Sequence, residues 1–172
     1  MIYEVTGDIL HSRASTIVHG VAPNDHFNSG LAQQLRLLYP SMFRDFRHYC
    51  QVAHPQPGDL WTWSGVGRRG VVNIISLLTQ SGGYRHGQRP GRATIENVNH
   101  ALRALHKWVE HERPESLAMP RLATGFGGLD WQRVLPLIHH HLGACETSVY
   151  IYACYRKDVH AFEPSSAALG AV

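Results

Sequence analysis

The sequence predicts an α/β fold: a three-layer α/β/α sandwich around a mixed, mostly parallel central sheet. Three observations predict it. Strand-like segments alternate with helical ones along most of the chain, which favours parallel strands joined by helical crossovers. One strand–turn–strand pattern near 59–78 interrupts the alternation and makes the sheet mixed. The 172 residues are 44% hydrophobic, which fits one domain with its own core and excludes wholesale disorder.

Each element has its own signal. Residues 2–5 (Ile-Tyr-Glu-Val) alternate as a short strand, stopped by Gly7-Asp8. Residues 16–21 are rich in β-branched side chains and read as a strand buried on both faces. Leu31, Leu35 and Leu38 recur at helical spacing up to Pro40. Ser41 is the expected cap of a second helix with Met42, Phe43, Phe46 and Tyr49 on its apolar side. Asp59 to Ser64 alternates, Gly65 to Gly70 reads as a hairpin loop, and Val71 to Leu78 is the most strand-like run. A loop from Gln80 to Arg92, with four Gly and three Arg, leads to a helix over 94–112 built on Val98, Leu102, Leu105 and Val109. Leu117-Ala118-Met119 is a short strand before a Gly-rich loop, 120–129. Asp130 caps a last helix, whose main part is expected over 136–142 because of Pro136. Val149 to Cys154 closes the sheet. A single domain over 1–160 and a flexible tail over 161–172 are expected.

Composition removes several classes. The 16 basic residues divide into 14 Arg and two Lys, Lys107 and Lys157, against 13 acids, for a formal charge of +3. That is far from a polybasic tail, and an anionic ligand is allowed without being demanded. No apolar run reaches the roughly 18 residues of a membrane span. The N-terminus has no basic n-region or apolar h-region, so a cytoplasmic setting without a membrane is expected. Cys50, Cys145 and Cys154 lack C-x-x-C spacing and read as reduced core thiols. His139-His140-His141 point in different directions on a helix and cannot share one ion, so no metal is expected.

Ligands on such sheets bind in the loops beyond the strand carboxyl ends, here 6–9, 22–30, 79–92 and 120–129. Thr124 to Asp130 has glycines that would let amides point at an anion, or is only a capped turn. Asp8 could accept a hydrogen bond from an exocyclic amine, or serve its own turn. Asn24-Asp25-His26-Phe27-Asn28-Ser29-Gly30 offers groups that could hold a sugar and orient a water, or is an Asx turn. Asp25 and His26 are the general-base candidates. Arg85, His86, Arg89 and Arg92 read equally as a basic lid over phosphates or a solvated loop.

Together these pieces resemble the macrodomain superfamily, the ADP-ribose-binding fold. The likeness covers residues 1–158: Val5 to Leu10 (V-x-G-D-I-L), the helix entry Gly30-Leu31-Ala32, Met119-Pro120-Arg121, and T-G-x-G-G-L-D-W over 124–131. The G-G-L-D-W run is similar to the branch of terminal ADP-ribose glycohydrolases and DNA-ADP-ribosyl glycohydrolase antitoxins. The resemblance implies that Asp8 binds the adenine amine, with Ile9 supporting through its backbone. It implies that Asn24, Phe27, Asn28, Ser29, Gly30 and Leu31 wrap the distal ribose. Thr79 and Gln80, at the end of the central strand, are the further ligand-lining candidates, with Gln80 positioning the ligand. Thr124, Gly125, Phe126, Gly127, Gly128 and Leu129 would cradle the diphosphate, and Tyr155 would stack on adenine.

The sequence departs from that branch where its catalytic Lys belongs, just after the central strand. This stretch reads Leu77-Leu78-Thr79-Gln80-Ser81. The acidic partner in the diphosphate loop gives way to Gly127, and the loop amide of the antitoxin type falls near Ala22. Gln cannot act as nucleophile or acid in place of Lys. The expected function is therefore hydrolysis of an ADP-ribosyl linkage, on a nucleotide or DNA, a protein carboxylate or a small ester, by activated water. Asp25 or His26 would be the base. A non-catalytic ADP-ribose reader is the alternative, and a basic module contacting nucleic acid directly is a third reading. No cofactor is expected beyond ADP-ribose as ligand or product. The expected partner is ADP-ribose or an ADP-ribosylated macromolecule such as nucleic acid, and the chain is expected to be a monomer.

Overall fold

A computed structural model describes residues 1–164. Six strands form one mixed sheet: β1 (Ile2–Gly7), β2 (Thr16–Val21), β3 (Leu60–Gly67), β4 (Gly70–Leu78), β5 (Ser116–Pro120) and β6 (Ser148–Tyr155). Their spatial order is β1-β6-β5-β2-β4-β3. Every neighbouring pair is parallel except β3 and β4. The helices are α1 (Gly30–Leu38), α2 (Pro40–Ala53), α3 (Ile95–Glu112) and α4 (Trp131–Leu142).

The alternation of β2 splits the core in two. Ile17 and Val21 face one cluster with Phe27, Leu35, Met42 and Phe46. Val18 faces the other, with Leu102 and Leu105 of α3 and Val134 and Ile138 of α4. The apolar stripe expected for α3 is buried at all four positions, and Thr94 caps the helix by accepting from the Asn97 amide.

Some boundaries move for local reasons. Pro40 is the first residue of α2, so Ser41 lies inside the helix and is not its cap; proline suits that place because its missing N–H has no helical acceptor to serve. β3 runs on to Gly67, leaving only Arg68 and Arg69 in the turn, because Gly70 adopts φ +105° and closes a two-residue hairpin. α4 begins at Trp131 and carries Pro136 within it, its Asp130 cap accepting from the Gln132 amide. Cys50 and Cys145 are buried as expected, but Cys154 is exposed near the end of β6. Among the described residues no helix is long and apolar enough to cross a membrane.

Residues 161–164, expected to begin a flexible tail, are fastened to the domain. Glu163 accepts from the Ser12 hydroxyl, the Arg13 amide and the Tyr152 hydroxyl. The Tyr150 hydroxyl donates to the Pro164 carbonyl. The rest of that expected tail, residues 165–172, lies outside the described residues.

Candidate functional site

Because β1, β6, β5, β2 and β4 are parallel, their carboxyl ends form one rim. The loops leaving that rim carry nearly all the expected site residues.

At the β1 end, Asp8 is 4% exposed. Its Oδ1 accepts from the Leu10 amide and caps the short 3-10 turn Ile9–His11. Its Oδ2 accepts from the Asp158 amide, and its own amide donates to the Val159 carbonyl. A Cβ at Gly7 would lie 2.8 Å from that same carbonyl, so only glycine lets the segment after β6 approach so closely. Tyr155 pairs in register with Gly7 and is 59% exposed, so an aromatic face stands open beside Asp8. Ile9 is buried.

Beyond β5, Leu129 donates to the Ala123 carbonyl and Gly128 to the Gly125 carbonyl, which curls the loop on itself. Among the described residues the backbone amides of 124–127 have no backbone acceptor. A Cβ on Gly127 would meet the Ala123 carbonyl at 2.6 Å. Ala123 and Gly128 flank this stretch with φ of +62° and +77°, the left-handed geometry found in backbone anion nests. The Thr124 hydroxyl bonds back to the Arg121 carbonyl, and Phe126 is 70% exposed.

Beyond β2, Asp25 organises its own loop. Its carboxylate accepts from the amides of Ala22 (3.0 Å) and Phe27 (2.8 Å). His26 is exposed; its carbonyl accepts from Arg36, leaving the imidazole free of protein partners among the described residues. Asn28 is exposed and meets the same guanidinium at 3.4 Å. Asn24 is held by Arg47, which donates to both its carbonyl and its Oδ1 at 2.6 Å. Ser29 and Gly30 are exposed at the start of α1, with Leu31 half-buried behind them. The Phe27 side chain is fully buried, tilted against Phe46 and edge-on to His19. It offers a ligand only its backbone.

Beyond β4, Gln80 is buried and donates through Nε2 to the Gly91 carbonyl, pinning the neck of the 80–92 loop. Thr79 is fully buried, and its hydroxyl, without a hydrogen-bond partner, faces the backbone of Gly20. Its side chain does not reach the rim. The loop packs on its neighbours: Gly82 against Ala22 and Pro23, Arg92 against Gly128, and the Ala93 amide on the Gly127 carbonyl.

The 79–92 loop thus meets both the 22–30 and the 120–129 loops, and the Asp8–Tyr155 end stands on the same rim. Tyr155, the 124–127 amides, and Asn24, His26, Asn28, Ser29 and Gly30 stand on the rim, with Asp25 half-buried among them. Asp8, Phe27, Thr79 and Gln80 are buried and brace the rim from beneath. The two Lys are exposed on α3 and after β6, away from the 22–30 loop. Arg47 and Asp158 are contributors that the sequence does not signal. Their partners lie 23 and 150 residues away, and nothing in local spacing points to such contacts. His19 gives no signal either. It lies within β2, its Nε2 2.8 Å from the Ser76 hydroxyl and its Nδ1 unpartnered, and burial pulls its pKa from 6.5 down to about 4.

No family model matches the chain. A DNA ADP-ribosyl glycohydrolase of Thermus aquaticus is 26% identical over 153 residues, 88% of this chain and 41% of that protein. The chain therefore spans about two fifths of the length of that curated relative. Among solved structures, the macrodomain of Thermus aquaticus DarG superposes with a TM-score of 0.77 at 25% identity, covering 89% of this chain and 98% of that one. Thermosipho africanus DarTG in complex with ADP-ribose superposes with a TM-score of 0.75 at 22% identity, covering 90% of this chain and 41% of that one.

Proposed function

We propose that this chain, a macrodomain of the DarG branch, binds ADP-ribose and hydrolyses an ADP-ribosyl linkage on nucleic acid. The observation that carries the reading is the order of chemistry along the rim. Strand order places Asp8 and Tyr155 first, the free amides of 124–127 next, and the 22–30 loop after them. That is an amine acceptor with an aromatic face, then an anion nest, then a polar loop suited to a sugar. Three strand spacings of about 4.8 Å separate β1 from β2, a span of about 14 Å. An adenosine–diphosphate–ribose chain has this sequence of groups and about this reach. Nucleic acid as the carrier is favoured by the activity named for the curated relatives.

The chemistry assigned here is water activation. With no Lys near the ribose loop, an amine-linked intermediate has no donor. Asp25 holds the loop in shape through two backbone amides, as Asp8 holds its own turn, and is the second base candidate of the segment. His26 is the side chain in that loop with a free ring, and it takes the part of general base. The amides of 124–127 fix the diphosphate and hold the ribose against His26.

The test is direct. The protein is incubated with ADP-ribosylated single-stranded DNA, ADP-ribosylated protein and small ADP-ribosyl esters, and released ADP-ribose is quantified. Release from the DNA is expected, lowered roughly 10²–10⁴-fold in His26→Ala while ADP-ribose affinity holds. Tight ADP-ribose binding with no release from any substrate would leave the reader function in place of the hydrolase. The Thr79-Gln80-Ser81 stretch, without its Lys, is what favours that second reading.

A further inference from the structure

A second concentration of positive charge stands beside the 22–30 loop. A cavity of about 450 Å³ lies between the 23–26 turn, α2 and the tip of the 80–92 loop. Arg47, Arg85 and Arg89 line it with His26 and His86, and its lining contains no acidic residue. In a chain with 13 acids against 16 Lys and Arg, three guanidiniums without a carboxylate form a local concentration of positive charge. The neighbouring Asp25 forms no ion pair with these guanidiniums among the described residues.

Arg47 gives the cavity a fixed wall. It is half-buried, and its Nη1 is held by the carbonyl and Oδ1 of Asn24. Its Nε and Nη2 have no partner among the described residues, so an oriented guanidinium edge remains open to an oxyanion. The opposite wall is the loop tip, carried on a pinned base. Tyr84 stacks on His54 with ring centroids 4.3 Å apart and planes within 5°, and its hydroxyl donates to the Pro55 carbonyl. Arg85, His86 and Arg89 are exposed on the tip. Arg92 belongs elsewhere: its side chain packs over Gly128 of the anion nest.

From this we infer that the Arg47–Arg85–Arg89 cavity binds a backbone phosphate of the polynucleotide that carries the ADP-ribosyl group. The inference rests on the proposed function for the identity of the carrier. The positive charge and the free guanidinium edge stand independently of it. With the ADP-ribose diphosphate on the 124–127 amides and the ribose at the 22–30 loop, the cavity lies past the ribose, where the leaving group must be. A guanidinium fork suits a phosphate oxygen pair, and such contacts position a strand without reading its sequence.

The test compares the wild-type chain with the double variant Arg85→Ala/Arg89→Ala, whose changes are confined to the exposed loop tip. The probes are ADP-ribose, an unmodified single-stranded oligonucleotide and an acidic peptide, each titrated over a range of salt. The variant is expected to bind ADP-ribose within twofold of wild type. It is expected to bind the oligonucleotide at least tenfold more weakly at low salt. The slope of log K against log salt should fall by about 0.7 for each phosphate that the variant no longer neutralises. Equal weakening for ADP-ribose and oligonucleotide would overturn the inference by giving the cavity to ADP-ribose itself. Unchanged oligonucleotide binding, no wild-type binding of the strand at low salt, or a larger loss for the acidic peptide would also overturn it. If the wild-type chain fails to bind ADP-ribose yet shows Arg-dependent strand binding, the proposed function falls and the phosphate site stands.

Discussion

At the scale of single residues, His19 and Gly127 have the sharpest consequences. His19 is buried, and burial holds its pKa near 4 against 6.5 in the unfolded chain. The folded state therefore binds fewer protons than the unfolded state between those values. Its contribution is complete above pH 6.5 and is lost as pH falls through 6.5 toward 4. Between about pH 7 and pH 5 this one group should remove about 2 kcal/mol of stability. Denaturant midpoints measured at the two pH values should converge in His19→Gln relative to wild type; an unchanged gap would clear His19 of acid sensitivity. Gly127 is constrained by space. Its Cβ position lies 2.6 Å from a backbone carbonyl that cannot move without reshaping the loop. Gly127→Val should weaken ADP-ribose binding more than about tenfold in a calorimetric titration, with a smaller drop in Tm. Retained affinity would remove the 124–127 amides from the site. Gly127 is legible in the sequence, because glycines between a strand and a helix are a familiar signal for anion contact. His19 is not legible: a His in an apolar strand looks the same whether its ring finds one partner or two.

At the scale of elements, α3 and the segment after β6 stand at opposite ends of legibility. The α3 stripe is visible because its period is local, and Leu102 and Leu105 are fully buried where the spacing puts them. Leu102→Ala should cost about 2–5 kcal/mol, read as a shift in denaturant midpoint. The segment 156–164 has no such signal. The small and polar run at the chain's end predicts a flexible tail from 161 on, yet Glu163 binds Ser12 and Arg13 at the far end of the sequence as well as Tyr152. Burial and the Glu163 carboxylate push the Tyr152 hydroxyl well above its ordinary pKa, so it remains a donor. Glu163→Ala should cost about 1–3 kcal/mol, because three donors lose a charged acceptor together. Hydrogen exchange should show the loss concentrated around residues 8–13 and 156–160, since those amides depend on the same fastening. Uniform loss across the sheet would mean that the segment has no local role. The boundaries at Pro40, Gly67 and Trp131 differ from expectation for a related reason: capping and turn closure depend on φ values that residue identity only biases.

At the scale of the whole molecule, the permutation of strands decides which loops become neighbours. Alternation along the chain predicts a parallel sheet but not its order. β6, last in the chain, lies between β1 and β5, and so brings Tyr155 beside Asp8. The loops expected to carry the site are spread over most of the sequence and are adjacent in space. Which side chains line the rim and which brace it from below follows from packing. Phe27 and Thr79 are fully buried, and no pattern in the 22–30 or 79–92 segments separates them from their exposed neighbours.

One bond in that rim ties two loops together. The Ala93 amide donates to the Gly127 carbonyl, so the neck of the Arg-bearing loop and the 124–127 segment share a hydrogen bond. A ligand that stiffens either one spares the other part of the cost of ordering. Binding at the two places is therefore expected to be coupled, and any such coupling is reciprocal. Saturating ADP-ribose should alter the chain's affinity for a nucleic-acid strand by some factor, and a saturating strand should alter ADP-ribose affinity by the same factor.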